Sequence, residues 1–223
     1  MRSQRRSLER AGVIEGGEGG LGDHGPADAC AVDPRQPPAI EGGMRLTLAP
    51  HPLTPCDAIE TIEVDVARGK GGALALRFVA KGDIARLRLP TPRDRARADE
   101  LWQETCFEAF VKPEGGEAYH EFNLSPSNRW AGYRFDGYRE GMASAGGVAL
   151  AHLTRRASDD LYELVATLAF DAEAGLDPDR TWRLGLSAVI EEASGAKSYW
   201  ALAHAPGKPD FHHPDTFALD LPA

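Results

Sequence analysis

Between residues 119 and 135 the sequence reads YHEFNLSPSNRWAGYRF, which brings Tyr119, Phe122, Trp130, Tyr133 and Phe135 together with Glu121, Asn123, Arg129 and Arg134. Just upstream, LWQETCFEAF at 101–110 adds Trp102, Glu104 and Glu108. Nine of the 17 aromatic residues lie between Trp102 and Tyr138, so the enrichment belongs to one region and not to the chain as a whole. Pyranose rings present apolar C–H faces that stack on indole or phenol, and hydroxyls that pair with carboxylate, amide and guanidinium groups. Flat rings interleaved with such groups supply both. The competing physical reading makes Trp102, Trp130 and Trp200 core fillers, and makes Glu108 and an arginine a structural ion pair at a sheet edge.

Side-chain parity sorts these residues if the segments are strands. In 119–125, His120, Phe122 and Leu124 share one face while Tyr119, Glu121, Asn123 and Ser125 share the other. With Phe122 and Leu124 in the core, Glu121 and Asn123 point outward or into a groove. In 102–111 the odd positions Phe107, Ala109 and Val111 are the more apolar, which assigns Glu108 to the side of Trp102 unless a bulge intervenes. Arg129 and Arg134 have opposite parity, so at most one of them joins that surface.

Other chemistries are weighed from the same residues. Glu104, Glu108 and Glu121 could supply the two carboxyl groups of a glycoside-processing enzyme, about 5 to 10 Å apart across a cleft. SYWALAHAPGKPDFHHP at 198–214 places His204, Asp210, His212 and His213 close in sequence, with donor atoms suited to a metal. Their spacing matches no motif in which geometry follows from secondary structure, and no metal or cofactor is assigned. Ser125-Pro126-Ser127 reads as a bend and not as a nucleophile elbow. GGEGGLG at 16–22 lacks the Lys-Ser/Thr of a phosphate loop.

The elements that must hold these groups are short. Period-two alternation predicts strands at 59–66, 73–80, 84–89, 105–111, 119–124, 129–135, 148–153, 161–170, 182–190, 198–203 and 216–221. About eleven strands exceed one open half-buried sheet, and no long 3.6-period segment exists to cover a parallel one. The expected fold is all-β, a two-sheet antiparallel β-sandwich. Residues 1–43 hold nine of the 24 glycines and no aromatic residue, so a disordered N-terminal extension is expected there. Met44 opens the first convincing apolar pattern and is a candidate translation start, with the folded domain at 44–223. Those 180 residues carry 20 basic and 27 acidic side chains, within a chain of net charge −9, which argues against nucleic acid as a partner. No apolar run reaches bilayer length and no secretory signal follows the early arginines, so a soluble, cytoplasmic protein with no membrane partner is expected. Three scattered cysteines without CxxC read as free thiols. Oligomeric state is not legible.

The two segments at 101–139 and 198–221 together resemble the bacterial DOMON-like proteins, relatives of the family 9 carbohydrate-binding modules. The resemblance extends in strand order over roughly 44–221. It implies a ligand-binding β-sandwich without catalysis, binding a carbohydrate or similar small polar ligand. In the sugar-binding modules a tryptophan before a central strand and a glutamate six residues later form the binding face, and Trp102 with Glu108 matches that spacing. A second clamping tryptophan is expected at Trp200, by its place near the end of the fold. Asn123, Arg129 and Arg134 are polar candidates proposed from this sequence. The alternatives are a glycoside-processing enzyme using Glu108 and another carboxylate, a haem-binding domain, for which Met142 is the only methionine beyond Met44, and a structural or interaction domain.

Overall fold

A computed structural model describes residues 40 and 42–223. Apart from residues 40, 42 and 43, the expected N-terminal extension lies outside the described residues. Thirteen strands follow in order: β1 (Met44–Pro50), β2 (Ile59–Arg68), β3 (Leu74–Gly82), β4 (Ala96–Arg97), β5 (Cys106–Pro113), β6 (Tyr119–Leu124), β7 (Arg129–Phe135), β8 (Ala143–Ser144), β9 (Val148–Ala157), β10 (Leu161–Phe170), β11 (Trp182–Glu191), β12 (Lys197–Ala201) and β13 (Leu219–Leu221). Among the described residues the helical elements are single 3-10 turns.

The expectation of an all-β chain holds, but that of two separate sheets does not. The strands form one continuous curled sheet in the order β4-β7-β6-β5-β11-β12-β1-β2-β3-β10-β9, with β13 beside β11 and β8 beside β7. The cause is β1. Its first residues pair with β2, from Met44 opposite Val66 to Leu48 opposite Ile62. Its last two residues then pair with β12, Ala49 opposite Ala201 and Pro50 opposite Trp200. One strand thus belongs to both arms. Nor is the sheet wholly antiparallel, because β4 runs parallel to β7.

The arms curl so that their inner faces share one core. Leu48, Ile62, Val64, Leu76, Phe78 and Leu164 from one arm pack with Phe107, Val111, Phe122, Leu124, Leu186 and Ile190 from the other. Phe107 joins the arms through ring contacts to Phe78 and Tyr162, at centroid distances of 5.1 and 5.9 Å. Each such side chain contributes about 1.5–3 kcal/mol when removed from water. The tight approach of β2 to β3 depends on Gly82, whose φ is +148° and where a Cβ would lie 2.2 Å from the Ala58 carbonyl oxygen. The predicted strand at 84–89 is instead a 3-10 turn at Ile84–Arg86. Ile84 and Leu87 are three residues apart, the repeat of that turn, so both meet the core without a ladder.

On the outer face of the second arm lies another apolar layer. Phe110, Tyr119, Tyr133, Phe135 and Val189 project from β5, β6, β7 and β11 and are covered by Phe211 and Phe217 of the segment after β12. The alternation in β5 explains both layers: Phe107, Ala109 and Val111 face the shared core, while Glu108 and Phe110 face outward beneath this second cover.

Candidate functional site

The second layer is incompletely closed and leaves a cleft of about 520 Å³. Its floor is Glu108 and Phe110 of β5, Glu121 of β6, Tyr133 and Phe135 of β7, and Tyr199 of β12. Its rim comes from three loops. Trp102 and Gln103 stand on the 3-10 turn before β5, Arg139 and Met142 follow β7, and residues 209–212 form the C-terminal wall.

Two positions in the loops that form the rim are bent unfavourably for ordinary side chains. Glu100, which opens the Trp102 turn, has φ +59°, and Arg139 has φ +56°. Left-handed backbone at a residue other than glycine costs on the order of 1–2 kcal/mol and is characteristically retained where it aims side chains. Arg139 itself lines the cleft, and Glu100 precedes the turn that carries Trp102 to its rim.

The two carboxyls of the floor are the chemical centre. Glu108 is 2% exposed and Glu121 6%. Asn123 stands opposite Glu108 across the β5–β6 ladder and Glu121 opposite Phe110, so the two glutamates are diagonal neighbours on one face. Burial raises the pKa of Glu108 well above the carboxylate range, the charge of Glu121 adds to the rise, and a 3.2 Å hydrogen bond donated by the Ser187 hydroxyl opposes it. Burial also raises Glu121, against the 2.7 Å bond donated by the Asn123 amide and the field of Arg139. The pair therefore holds on to a proton at pH values where free carboxyls have lost theirs, with Glu108, less well solvated by hydrogen bonds, favoured to carry it.

The groups around this pair hold one another. Arg139 Nη2 donates to Asp210 Oδ1 at 2.7 Å, and Tyr138 donates to the other oxygen of the same carboxylate. Lys197 donates to the Gln103 carbonyl and ties β12 to the Trp102 turn. Tyr119 accepts the Arg139 backbone N–H at 3.2 Å and lies 2.8 Å from His212 Nδ1. With the Tyr119 proton directed to Nδ1, the imidazole proton is assigned to Nε2, 3.7 Å from Glu121 Oε2. Burial, aided by Arg139, depresses the pKa of His212 to about 4, so the ring is neutral near pH 7. Tyr133 donates to Asp99 Oδ1 at 2.8 Å, and burial together with that carboxylate pushes its pKa up to about 12.

The sequence-derived candidates distribute unevenly. Trp102 and Glu108 share the cleft, Trp102 50% exposed at the rim and Glu108 in the floor. Asn123 is fully buried and acts on the cleft through its bond to Glu121. Trp200 does not reach the site. It is 2% exposed in the shared core and donates to Ser198 at 3.0 Å, because even positions of β12 face inward and Lys197 and Tyr199 face the cleft. Arg129 has cleft parity but lies at the far end of β7, where that strand meets β4, outside the lining. Arg134 has the opposite parity and pairs with Asp136 at 2.8 Å in solvent. The cleft guanidinium is Arg139, in a loop that parity cannot reach. Asp210, Phe211 and His212 were likewise beyond strand alternation, although their clustering in 198–214 was visible, whereas Tyr199 follows from the parity that turns Trp200 inward.

The histidine-rich segment forms no metal set, and among the described residues no three His, Cys, Asp or Glu side chains converge on one. His204 Nε2 bonds the Ala49 carbonyl at 2.8 Å, and His213 Nδ1 accepts the Asp215 N–H at 3.2 Å. Met142, the methionine weighed for haem, stands exposed at the rim, and the ring nitrogens of His212 are directed at Tyr119 and Glu121.

No protein-family model matches the sequence, and no curated protein matches it either. Among solved structures the chain is similar to a "putative carbohydrate-binding protein" from Bacteroides uniformis ATCC 8492, with a TM-score of 0.55 at 18% identity, over 79% of this chain and 84% of that one. At that identity the likeness is one of fold.

Proposed function

We propose that this chain is a non-catalytic binding domain for a small polar ligand, with carbohydrate as the class, and that it is related to the DOMON-like proteins and the family 9 carbohydrate-binding modules. The observation that carries this reading is that a half-exposed indole, Trp102, and a desolvated carboxyl pair, Glu108 and Glu121, border the same cleft. An indole offers a stacking plane for the C–H face of a sugar. A carboxyl pair sharing a proton can both donate to and accept from neighbouring hydroxyls. The fold likeness to a structure described as a "putative carbohydrate-binding protein" supports the same direction. Each neutral hydrogen bond returns only about 0.5–1.5 kcal/mol net of displaced water, so modest affinity is expected.

The two carboxyls argue for weighing glycoside processing as well. Glycosidase carboxyls flank the scissile bond from opposite sides. Glu108 and Glu121 instead come from adjacent strands of one wall, a placement suited to holding hydroxyls and unsuited to attacking an anomeric carbon from two faces. The test follows tryptophan fluorescence during titration with mono- and disaccharides. Saturable change in the wild type that is lost in Trp102→Ala supports binding. Absence of any change across the sugars sinks it, and hydrolysis of an aryl glycoside abolished by Glu108→Gln replaces it with the enzymatic reading.

A further inference from the structure

The charge balance of the cleft deepens the binding reading, on which this inference rests, by specifying what the ligand carries. Among the described residues, the one hydrogen bond to the Glu108 carboxyl is that from Ser187 on β11, to Oε2. Among the described residues no neighbouring cation is bonded to Glu108. Arg139, from the loop after β7, is engaged with Asp210 of the C-terminal wall. Lys197 of β12, on the cleft lining, keeps its charge and donates to the Gln103 carbonyl and not to Glu108. His212 is neutral and stands 3.7 Å from Glu121. Of the other titratable neighbours, Cys106 of β5 is a buried thiol whose pKa burial and Glu108 raise, and Tyr133 and Tyr199 are phenols, so none adds positive charge. Two desolvated carboxyls thus share a cleft with no protein cation paired to Glu108.

Burying carboxylates without a counter-ion is costly, and the cost is relieved when a cation arrives with suitable donors. An ammonium group has three donors for the carboxylate oxygens and is also attracted to aromatic faces, which Phe110, Phe135, Tyr199 and Trp102 provide around the same space. A neutral polyol relieves only hydrogen-bonding need. The overall acidity of the chain, at net −9, further favours the approach of a cation.

We infer that the cleft selects a sugar bearing a protonated amine, with the ammonium seated against Glu108 and Glu121 and the ring lying on Trp102.

The probes are glucosamine, glucose and N-acetylglucosamine, titrated into the whole chain by calorimetry over a range of pH. Glucosamine should bind at least about tenfold more tightly than the other two, the fold-change expected from one charge-assisted hydrogen bond. Its affinity should rise with pH as the carboxyl pair ionises, and fall again only when the amine deprotonates. Glu108→Gln and Glu121→Gln preserve side-chain shape. Either should shrink the preference for glucosamine over glucose to within about threefold, with native circular dichroism confirming the fold. Equal binding of glucosamine and glucose overturns the inference and leaves the carbohydrate reading standing. A glucosamine preference untouched by both variants also overturns it, since the amine is then held elsewhere. Failure of all three sugars to bind overturns both.

Discussion

Glu108 and Glu121 sit on adjacent antiparallel strands, displaced by one pleat on the same face, so neither can ionise without meeting the field of the other. Both folded-state pKa values are raised, chiefly by burial. A raised carboxyl contributes stability that is complete below its unfolded pKa and disappears as pH rises through the folded value. Glu108→Gln should therefore be more stable than wild type on the alkaline side, by on the order of 1–3 kcal/mol, the usual scale for a buried group lacking a partner. The difference should vanish in acid. Urea denaturation of both proteins at a series of pH values measures it.

His212 and His120 have the opposite sign. Burial depresses each to about 4 from the ordinary 6.5. A depressed histidine contributes stability present above the unfolded pKa and lost as pH falls toward the folded one. Between about 6.5 and 4 the wild type should lose roughly 2–3 kcal/mol per ring. His212→Gln should flatten its share of that slope. The comparison of variant with wild type isolates the ring from the glutamates, whose trend in the same window runs the other way.

Tyr119→Phe keeps the ring that stacks on Phe135 at 4.8 Å and deletes the oxygen that joins Arg139 to His212. The expected loss is about 1–3 kcal/mol, two hydrogen bonds at the usual net value. Because those bonds fasten the Arg139 and His212 loops to the floor of the cleft, ligand affinity should fall together with stability. Thermal melts with and without sugar separate the two losses.

Trp102 and Trp200 should part company on truncation. Trp102→Ala removes a half-exposed side chain and should leave stability within about 1 kcal/mol while removing the ligand-induced fluorescence change. Trp200→Ala opens a hole in the shared core and should cost about 3–5 kcal/mol. A Trp102→Ala protein that fails to fold would reassign that indole to the core.

The strands and the facing of their side chains were largely legible, because a two-residue period reports burial directly. Phe107, Ala109 and Val111 face the core and Glu108 faces away, as alternation in 105–111 implies. Sheet connectivity was not legible. Met44, Leu46 and Leu48 do alternate, but nothing in a single strand's pattern tells that its last two residues change partners, and the two-sheet expectation failed there. The site divided along the same line. Residues on regular strands could be assigned a face, whereas Arg139, Asp210 and His212 sit in loops whose path is set by tertiary contacts such as the Tyr119 bonds. Trp200, expected in the cleft from its place near the end of the fold, is turned inward by the parity of β12.

The change of partners within β1 has a temporal consequence. Ala49 and Pro50 leave the ribosome before most of the folded domain, yet their mates Ala201 and Trp200 follow only after β2 to β11. Until then the growing polypeptide can zip β2, β3, β9 and β10 into an unsealed half whose oily interior awaits its lid. That seam closes only once β12 has emerged, so a polypeptide that stops before Trp200 leaves its interior open along β1.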